Sequence, residues 1–300
     1  MNKNPHISQS GHKAAKCILC LLTLFISSYT ISVVAQNKKH VTSTKPAKPY
    51  EPVIPQANRY QANKVFLERA DSMLSAPVKN PLESYILLMG NIGFSRGDMH
   101  LYCDSAHYYD QINSIDAFGN VRMERADNLS GRADQLHYDG RKEVMNLIGN
   151  VSITKDNRTL TSQAIDYYVP SNTGKYTSNG RLEDPKNVLT SIVGEYNFNT
   201  DNAVFTNNVD LVNSRDNYVI HTNKLLYNTR TNIAKLVEEA EITSDENKII
   251  TSNGDYNTAT EKANLYVKNG VQPKLFAKDD RTLEGDSIHY DRHTGEGTAI

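Results

Sequence analysis

The sequence predicts an all-β protein built from a repeated antiparallel strand unit, and three observations carry that expectation. Tyrosines recur at Tyr108, Tyr138, Tyr167, Tyr196, Tyr227, Tyr256 and Tyr290, at spacings of 30, 29, 29, 31, 29 and 34 residues. A second anchor keeps the same period between them: Gly90-Asn91, Gly119-Asn120, Gly149-Asn150, Asn179-Gly180, Asn207-Asn208 and Asn269-Gly270. Hydrophobic residues make up only 38% of the chain and Trp is absent, which suits a half-buried sheet better than a thick globular core. One period held by two independent anchors is the mark of a repeat architecture.

Each strand can be read backwards from its tyrosine. Seven positions before it stand Leu101, Gly131, Leu160, Leu189, Ile220, Ile249 and Leu283. Five before stand the small residues Cys103, Ala133, Ser162, Ser191, Thr222, Thr251 and Gly285. Two before stand Ala106, Leu136, Ile165, Gly194, Leu225, Gly254 and Ile288, and one before stand mostly polar residues such as His107, His137, Asp166 and Glu195. A two-residue alternation is the period of a strand with one buried face. The parity changes between the fifth and second positions before the tyrosine, so a bulge or corner is expected there. Asp104, Asp134, Asn223 and Asp286 sit at the switch, where Asx side chains are expected to bond local backbone. Turns follow at Asp139-Gly140, Asn172-Thr173-Gly174 and Thr294-Gly295. Residues 64–74 have a helical look, yet Phe66-Leu67-Glu68-Arg69-Ala70-Asp71 also matches the repeat and reads as a degenerate first copy.

Ahead of the repeats the chain changes character. Lys3, Lys13 and Lys16 precede an apolar run from Cys17 to Val34 that ends Val33-Val34-Ala35, the pattern of a signal peptide over 1–35. An uncleaved anchor is the alternative for a run of that length. Residues 36–60, with five basic residues and four prolines against one glutamate, read as an extended basic linker. The domain itself is then 61–300. The chain stops at Ile300 within Gly-Glu-Gly-Thr-Ala-Ile, where the repeat pattern asks for another Gly-Asn-Val strand, which suggests either a truncated chain or a longer parent protein.

Charge and cysteine count narrow the function. Of the net −1, residues 1–35 carry +3 and 36–60 carry +4, leaving −8 on 61–300. A nucleic-acid binder would carry its positive excess on the folded part, so nucleic acid is set aside. Removal of Cys17 and Cys20 with a signal peptide leaves Cys103 alone, which excludes a disulfide scaffold. Cys103 occupies the small position of its repeat and reads as packing. His107, His137 and His289 fall a repeat or more apart on a polar face and read as surface residues. No metal site, cofactor or catalytic cluster is read from the chain.

The Ala133-Asp134…Leu136-x-Tyr138-Asp139 unit, its siblings and the Gly149-Asn150-Val151 strand openings resemble the OstA/LptA-like family of lipopolysaccharide-transport proteins, over roughly the whole of 65–300. That resemblance implies repetitive antiparallel strands in an open, twisted jelly-roll or V-shaped stack. It further implies a noncatalytic periplasmic protein whose apolar interior takes the acyl chains of lipopolysaccharide, leaving the sugars outside. The implied partners are lipid A, other transport components joined by end-to-end strand pairing, and further copies joined head to tail. Groove-lining residues would be Leu101, Leu136, Tyr138, Val151, Ile153, Leu160, Ile165, Tyr167, Leu225, Tyr227, Ile288 and Tyr290.

Inward columns of this kind, interleaved with small residues, are expected to leave a groove rather than a close-packed core. A contiguous apolar strip of that sort marks an interaction surface, and each methylene moved into it contributes about 0.8 kcal/mol. Two other classes compete. An exported adhesin-type β-repeat protein would share the strands but fill its interior with side chains. A β-helix carbohydrate-active enzyme would need an acidic or basic cluster interrupting one rung, and none interrupts the pattern.

Overall fold

The computed structural model describes residues 63–76 and 84–300, all within one compact unit, 53–300. The apolar run 17–34 and the basic linker 36–60 lie outside the described residues.

The chain is one antiparallel meander. Two short strands come first, β1 (Phe66–Arg69) and β2 (Ser72–Ala76). Six long ones follow: β3 (Tyr85–Arg96), β4 (Met99–Tyr109), β5 (Ser114–Arg125), β6 (Leu129–Asp139), β7 (Val144–Lys155) and β8 (Arg158–Tyr168). The next passes are broken into β9 (Thr173–Tyr176), β10 (Gly180–Glu183), β11 (Val188–Ser191) and β12 (Val193–Asn197). Two long strands return, β13 (Asn202–Asn213) and β14 (Tyr218–Asn228), before β15 (Ile233–Leu236), β16 (Ala240–Ser244), β17 (Asn247–Thr251) and β18 (Gly254–Asn257). The last passes are β19 (Lys262–Tyr266), β20 (Lys274–Ala277), β21 (Thr282–Glu284), β22 (Ser287–Asp291) and β23 (Glu296–Ala299). Helix among the described residues is a single 3₁₀ turn, Asp110–Ile112.

Every pass crosses a crease that divides the strands into two ladders. β1 pairs with the Gly93–Ser95 part of β3, while β2 pairs with its Tyr85–Met89 part. The same division continues to the far end, where β17, β20 and β21 extend one ladder and β18, β19, β22 and β23 the other. Residues 64–74 are therefore an irregular strand pass, as the repeat pattern predicts.

The crease is where the sequence changes parity. Met89 pairs with Ser105 but Ile92 pairs with Cys103, so Gly90-Asn91 stands opposite the single residue Asp104. Gly119-Asn120, Gly149-Asn150 and Asn207-Asn208 repeat this two-against-one arrangement. All eight of these residues have positive φ, between 46° and 79°, a region open to glycine and tolerated by asparagine. The mismatch lets both halves of each strand bury side chains toward the same interior: β3, which carries the pair, buries Leu88, Ile92 and Phe94 without a change of parity, and the change falls on the strand with the single residue. In β4 the buried set is Met99, Leu101, Cys103, then Ala106 and Tyr108.

The Asx residues at the switch do not bond local backbone as expected. Asn120 Nδ2 donates to Asp104 Oδ2 at 2.7 Å, and Asn150 Nδ2 to Asp134 Oδ2 at 2.9 Å, each across to the next strand. Asn223 reaches Glu238, and Asp286 accepts from Gln272. The physical reason lies in the glycine: a Cβ on Gly119 would stand 2.6 Å from Asp104 Oδ2, so its absence is what admits the carboxylate. Turns fall where expected at Asp139-Gly140 and Thr294-Gly295, whereas Thr173 and Gly174 already belong to β9.

An interior face and the seam that closes it

The twelve residues read as groove-lining all point inward and are buried, with Leu101 the least so at 5% exposure. Leu101, Val151, Ile153 and Leu160 lie on the ladder of β1, and the other eight on the ladder of β2. The two inner faces meet. Phe94 and Tyr108 face each other from opposite ladders with ring centroids 5.5 Å apart, as do Tyr218 and Tyr256 at 5.2 Å. A cavity of about 20 Å³ between Phe94, Leu101, Ile115 and Tyr138 is room for about one water. The two inner faces are thus in contact in this structure, with Leu160 of one ladder over Gly174 of the other and Tyr176 over Gly180. Cys103, at the small position of its repeat, is buried, and burial pushes its thiol up to about 12.

Opposite the crease, the hairpin ends of one ladder touch those of the other along a polar seam. Tyr108 Oη donates to the Val65 carbonyl at 3.0 Å, while the Val65 amide donates to Asn113 Oδ1 at 2.8 Å. Arg96 donates to Glu143 at 2.6 Å. Arg125 reaches Tyr167 Oη at 3.4 Å, and Arg158 donates to the Thr229 carbonyl at 3.1 Å. Further along, Tyr227 Oη donates to Asp184 at 2.7 Å and Asn187 Nδ2 to Thr258 Oγ1 at 3.2 Å. Asn247 Nδ2 donates to Tyr290 Oη at 2.7 Å.

The repeating tyrosine therefore has two jobs. Its ring packs in the interior, and in most repeats its hydroxyl reaches the seam. Burial raises the phenol of Tyr167 to about 12 and that of Tyr227 further still, with Asp184 adding to the burial effect at Tyr227. Asp127, which holds Arg125 through two bonds of 2.6 and 2.7 Å, is kept well below the usual carboxylate range by that guanidinium.

The hairpin ends that carry the seam follow a rule the backward reading of the strands missed. Five residues after each repeating tyrosine stand Asn113, Glu143, Asn172, Asp201, Asn232, Glu261 and Gly295, all with positive φ. One residue after Tyr138, Tyr196, Tyr227, Tyr256 and Tyr290, the side chains of Asp139, Asn197, Asn228, Asn257 and Asp291 accept bonds from the turn amides. Reading forward from the tyrosine would have found both. The reading also missed Phe94, Phe198, Phe205 and Tyr176, among the largest fully buried side chains.

On the outer faces, histidines pair with cross-strand neighbours. His137 Nδ1 lies 2.5 Å from Asp116, and His289 Nδ1 lies 2.9 Å from Asn264. His107 packs against Tyr85 with ring centroids 4.3 Å apart and the planes tilted by 35°. Among the described residues, no three His, Cys, Asp or Glu side chains gather where they could hold a metal ion.

This crease-and-seam meander is matched by a family model described as OstA-like protein, over residues 62–218, more than half of the chain. The chain belongs to the OstA-like family. No curated protein matches it. Among solved structures, it is similar to LptH from Pseudomonas aeruginosa, described as the LptA homologous periplasmic component of the conserved lipopolysaccharide transport device. The identity is 16%, the match covers 53% of this chain and 96% of that one, and the TM-score is 0.23. In this OstA-like chain, the features with a chemical consequence are the apolar inner faces and the polar seam between them.

Proposed function

We propose that this chain is a noncatalytic periplasmic carrier or bridge for lipopolysaccharide, with acyl chains lying between the two inner faces and sugars outside the seam. Membership of the OstA-like family supports the setting. The observation that carries the mechanism is that two apolar faces run the length of the meander and are joined covalently only across the crease. At the seam they are held by side-chain hydrogen bonds and ion pairs. A seam hydrogen bond contributes about 0.5–1.5 kcal/mol net, whereas each acyl methylene contributes about 0.8 kcal/mol. A chain of roughly a dozen methylenes therefore outweighs the seam bonds of one or two repeats. Because successive repeats present similar faces, the lipid can move along them without one deep trap.

The groove-lining set named above, from Leu101 to Tyr290, would be the acyl-contacting surface once the ladders part. Among the described residues the sheet ends at β1–β2 and at β21 and β23, and these edges would accept strands from other transport components or from a second copy, extending both faces. Exposed Phe66, Met73 and Leu74 lie at the first of these edges. A structural, adhesin-type reading draws support from the closed interior, because such a protein has side chains where a carrier has lipid.

A photoreactive phenylalanine analogue separates the two. Placed at Ile165, inside, it should crosslink added lipopolysaccharide, while the same analogue at Val204, on the outer face, should not. Failure to crosslink at Ile165 in a folded protein would leave the adhesin reading standing.

A further inference from the structure

The seam is not chemically uniform: in its earlier part four cations stand on one lip, whereas Arg292, far along the seam, reaches across from the other lip to the Asn217 carbonyl. Arg96 ends β3, Arg125 ends β5, Lys155 ends β7 and Arg158 begins β8. Alternate strands in a sheet are separated by about 10 Å, so the first three cations form a regularly spaced row. The domain behind them carries a net charge of −8, and in the closed form the cations of the row are paired with Glu143, Asp127 and Asp201.

Each guanidinium is held in the closed form by an acidic or carbonyl oxygen. Arg96 bonds Glu143 of the opposite lip, and Arg158 bonds the Thr229 carbonyl of the opposite lip. Arg158 Nε comes no nearer than 4.0 Å to Asp201, also across the seam. Both Nε groups, of Arg96 and of Arg158, are buried without a hydrogen-bond partner. Parting the lips would take away the opposite-lip acceptors and leave partly buried guanidinium groups unpaired, a costly arrangement. An entering ligand that brings its own anion removes that cost. A phosphate group does so with oxygens that match the planar fork of arginine.

We propose that Arg96, Arg125 and Arg158 form a phosphate-binding row, on which the headgroup phosphates of an anionic amphiphile replace the closed-state oxygens as its acyl chains pass between the lips. The inference rests on the carrier reading and adds the headgroup site to it. Phosphate exchanges for Glu143 at Arg96 and for the Thr229 carbonyl at Arg158. At Arg125 it competes with Asp127, which Lys155 continues to hold at 2.8 Å. Further along the same lip the seam contacts are made by Asp184, Asn187 and Asn213 instead of arginines, so the phosphate site belongs to the β3–β8 part of the seam.

The test uses the full chain and two lipids with the same acyl chains, dilauroyl phosphatidic acid and dilauroylglycerol. Retained lipid is counted by mass spectrometry after gel filtration. The wild type should retain the phosphatidic acid preferentially, with the preference falling as salt is raised. Arg96→Gln/Arg125→Gln/Arg158→Gln should lower phosphatidic acid retention roughly tenfold or more and leave dilauroylglycerol unchanged. Arg181→Gln, on an outer face, should change neither. Circular dichroism reports folding. If the triple variant does not fold, the single changes Arg96→Gln and Arg158→Gln should each give a several-fold loss confined to the phosphatidic acid. Equal retention of both lipids by the wild type, or unaltered phosphatidic acid retention by the folded variants, overturns the row while leaving the carrier reading intact. Inorganic phosphate that raises the melting temperature as much as phosphatidic acid does would overturn the amphiphile and identify a free-anion site. Retention of neither lipid defeats the carrier reading itself.

Discussion

The β3–β8 part of the meander and the part from β9 onward solve one problem with different chemistry. In β3–β8 each pass is continuous, every second one (β3, β5 and β7) crosses at Gly-Asn with the carboxylate of Asp71, Asp104 or Asp134 from the preceding pass over the glycine, and the seam is closed by arginines. From β9 onward most passes are broken in two, and the continuous crease of β13 uses Asn207-Asn208, without glycine. Its seam is a buried network of Asp184, Asn187, Asn213, Tyr218, Tyr227 and Thr258. A partly exposed seam of ion pairs can be traded for a ligand's charges, whereas a buried hydrogen-bond network converging on one carboxylate has no such substitute and is costly to leave half-made. The difference points to a molecule that opens more readily in its earlier repeats.

The largest effect should come from alkali, because the tyrosines sit in both parts. A tyrosine whose folded pKa is raised contributes fully below about pH 10, its unfolded value, and loses that contribution as pH rises through the folded value. Burial raises Tyr138, Tyr167, Tyr196, Tyr218, Tyr227, Tyr256 and Tyr290 together. The protein should therefore unfold cooperatively above about pH 10, with tyrosinate absorbance rising in step with loss of β circular dichroism. Gradual titration without unfolding would mean that the interior admits water at the seam. Acid acts on the earlier seam. Asp127, lowered by Arg125, stabilises above about pH 4 and loses that effect as pH falls through its depressed value. Asp127→Asn should flatten the acid limb.

Next in size is the crease. Gly149 has φ +79°, and Asp134 Oδ2 occupies the place of the missing Cβ. Gly149→Val should cost about 3 kcal/mol in urea unfolding, combining a β-branched residue at positive φ with displacement of the carboxylate. Asn208→Gly, at φ +56° in β13, should stay within about 0.5 kcal/mol of wild type. A cost below about 1 kcal/mol for Gly149→Val would erase the distinction between the two creases.

The seams should differ in the same direction. Asp184→Ala removes the acceptor of Tyr227 and of the Lys186 and Asn187 amides, and should cost about 2–3 kcal/mol. Glu143→Ala removes one acceptor of Arg96, whose contact with Glu143 is less deeply buried than the Asp184 network, and should cost less, about 1–1.5 kcal/mol. The reverse order, measured by thermal unfolding, would contradict the assignment of easier opening to the earlier repeats.

What the sequence made legible was local. The inward set Leu101, Cys103, Ala106 and Tyr108, with its change of parity, follows from two-residue alternation, and the bulge that the change requires is present. The seam was not legible, because it joins turns that no period relates. Arg158 meets Thr229, 71 residues later, and Asp184 meets Tyr227, 43 later. Nor could periodicity decide whether inward columns leave a groove or meet. That depends on how far the crease bends each strand, and hence on Asp134 fitting over Gly149 from the neighbouring strand.

The smallest effect tests that fit directly. Asp104 accepts one exposed bond from Asn120 and sits over Gly119, so Asp104→Ala should cost about 0.5–1 kcal/mol, the net worth of one hydrogen bond. β8 offers the converse, because Gln163 stands at its switch position, where β4 and β6 carry aspartate. If the carboxylate's contribution comes from filling the space above a following glycine, Gln163→Asp should gain nothing, since the next pass crosses at Asn179-Gly180 with Asn179 already bonded through its carbonyl to Ser162. If instead any carboxylate at the switch stabilises the crease by bonding a neighbouring asparagine, Gln163→Asp should gain a few tenths of a kcal/mol through Asn150 or Asn179. A gain would show that bonding governs the crease and that the glycine only makes room. No gain, together with a loss in Asp104→Ala, would show that the glycine and the carboxylate act as one unit, and that β8 is where the earlier crease ends.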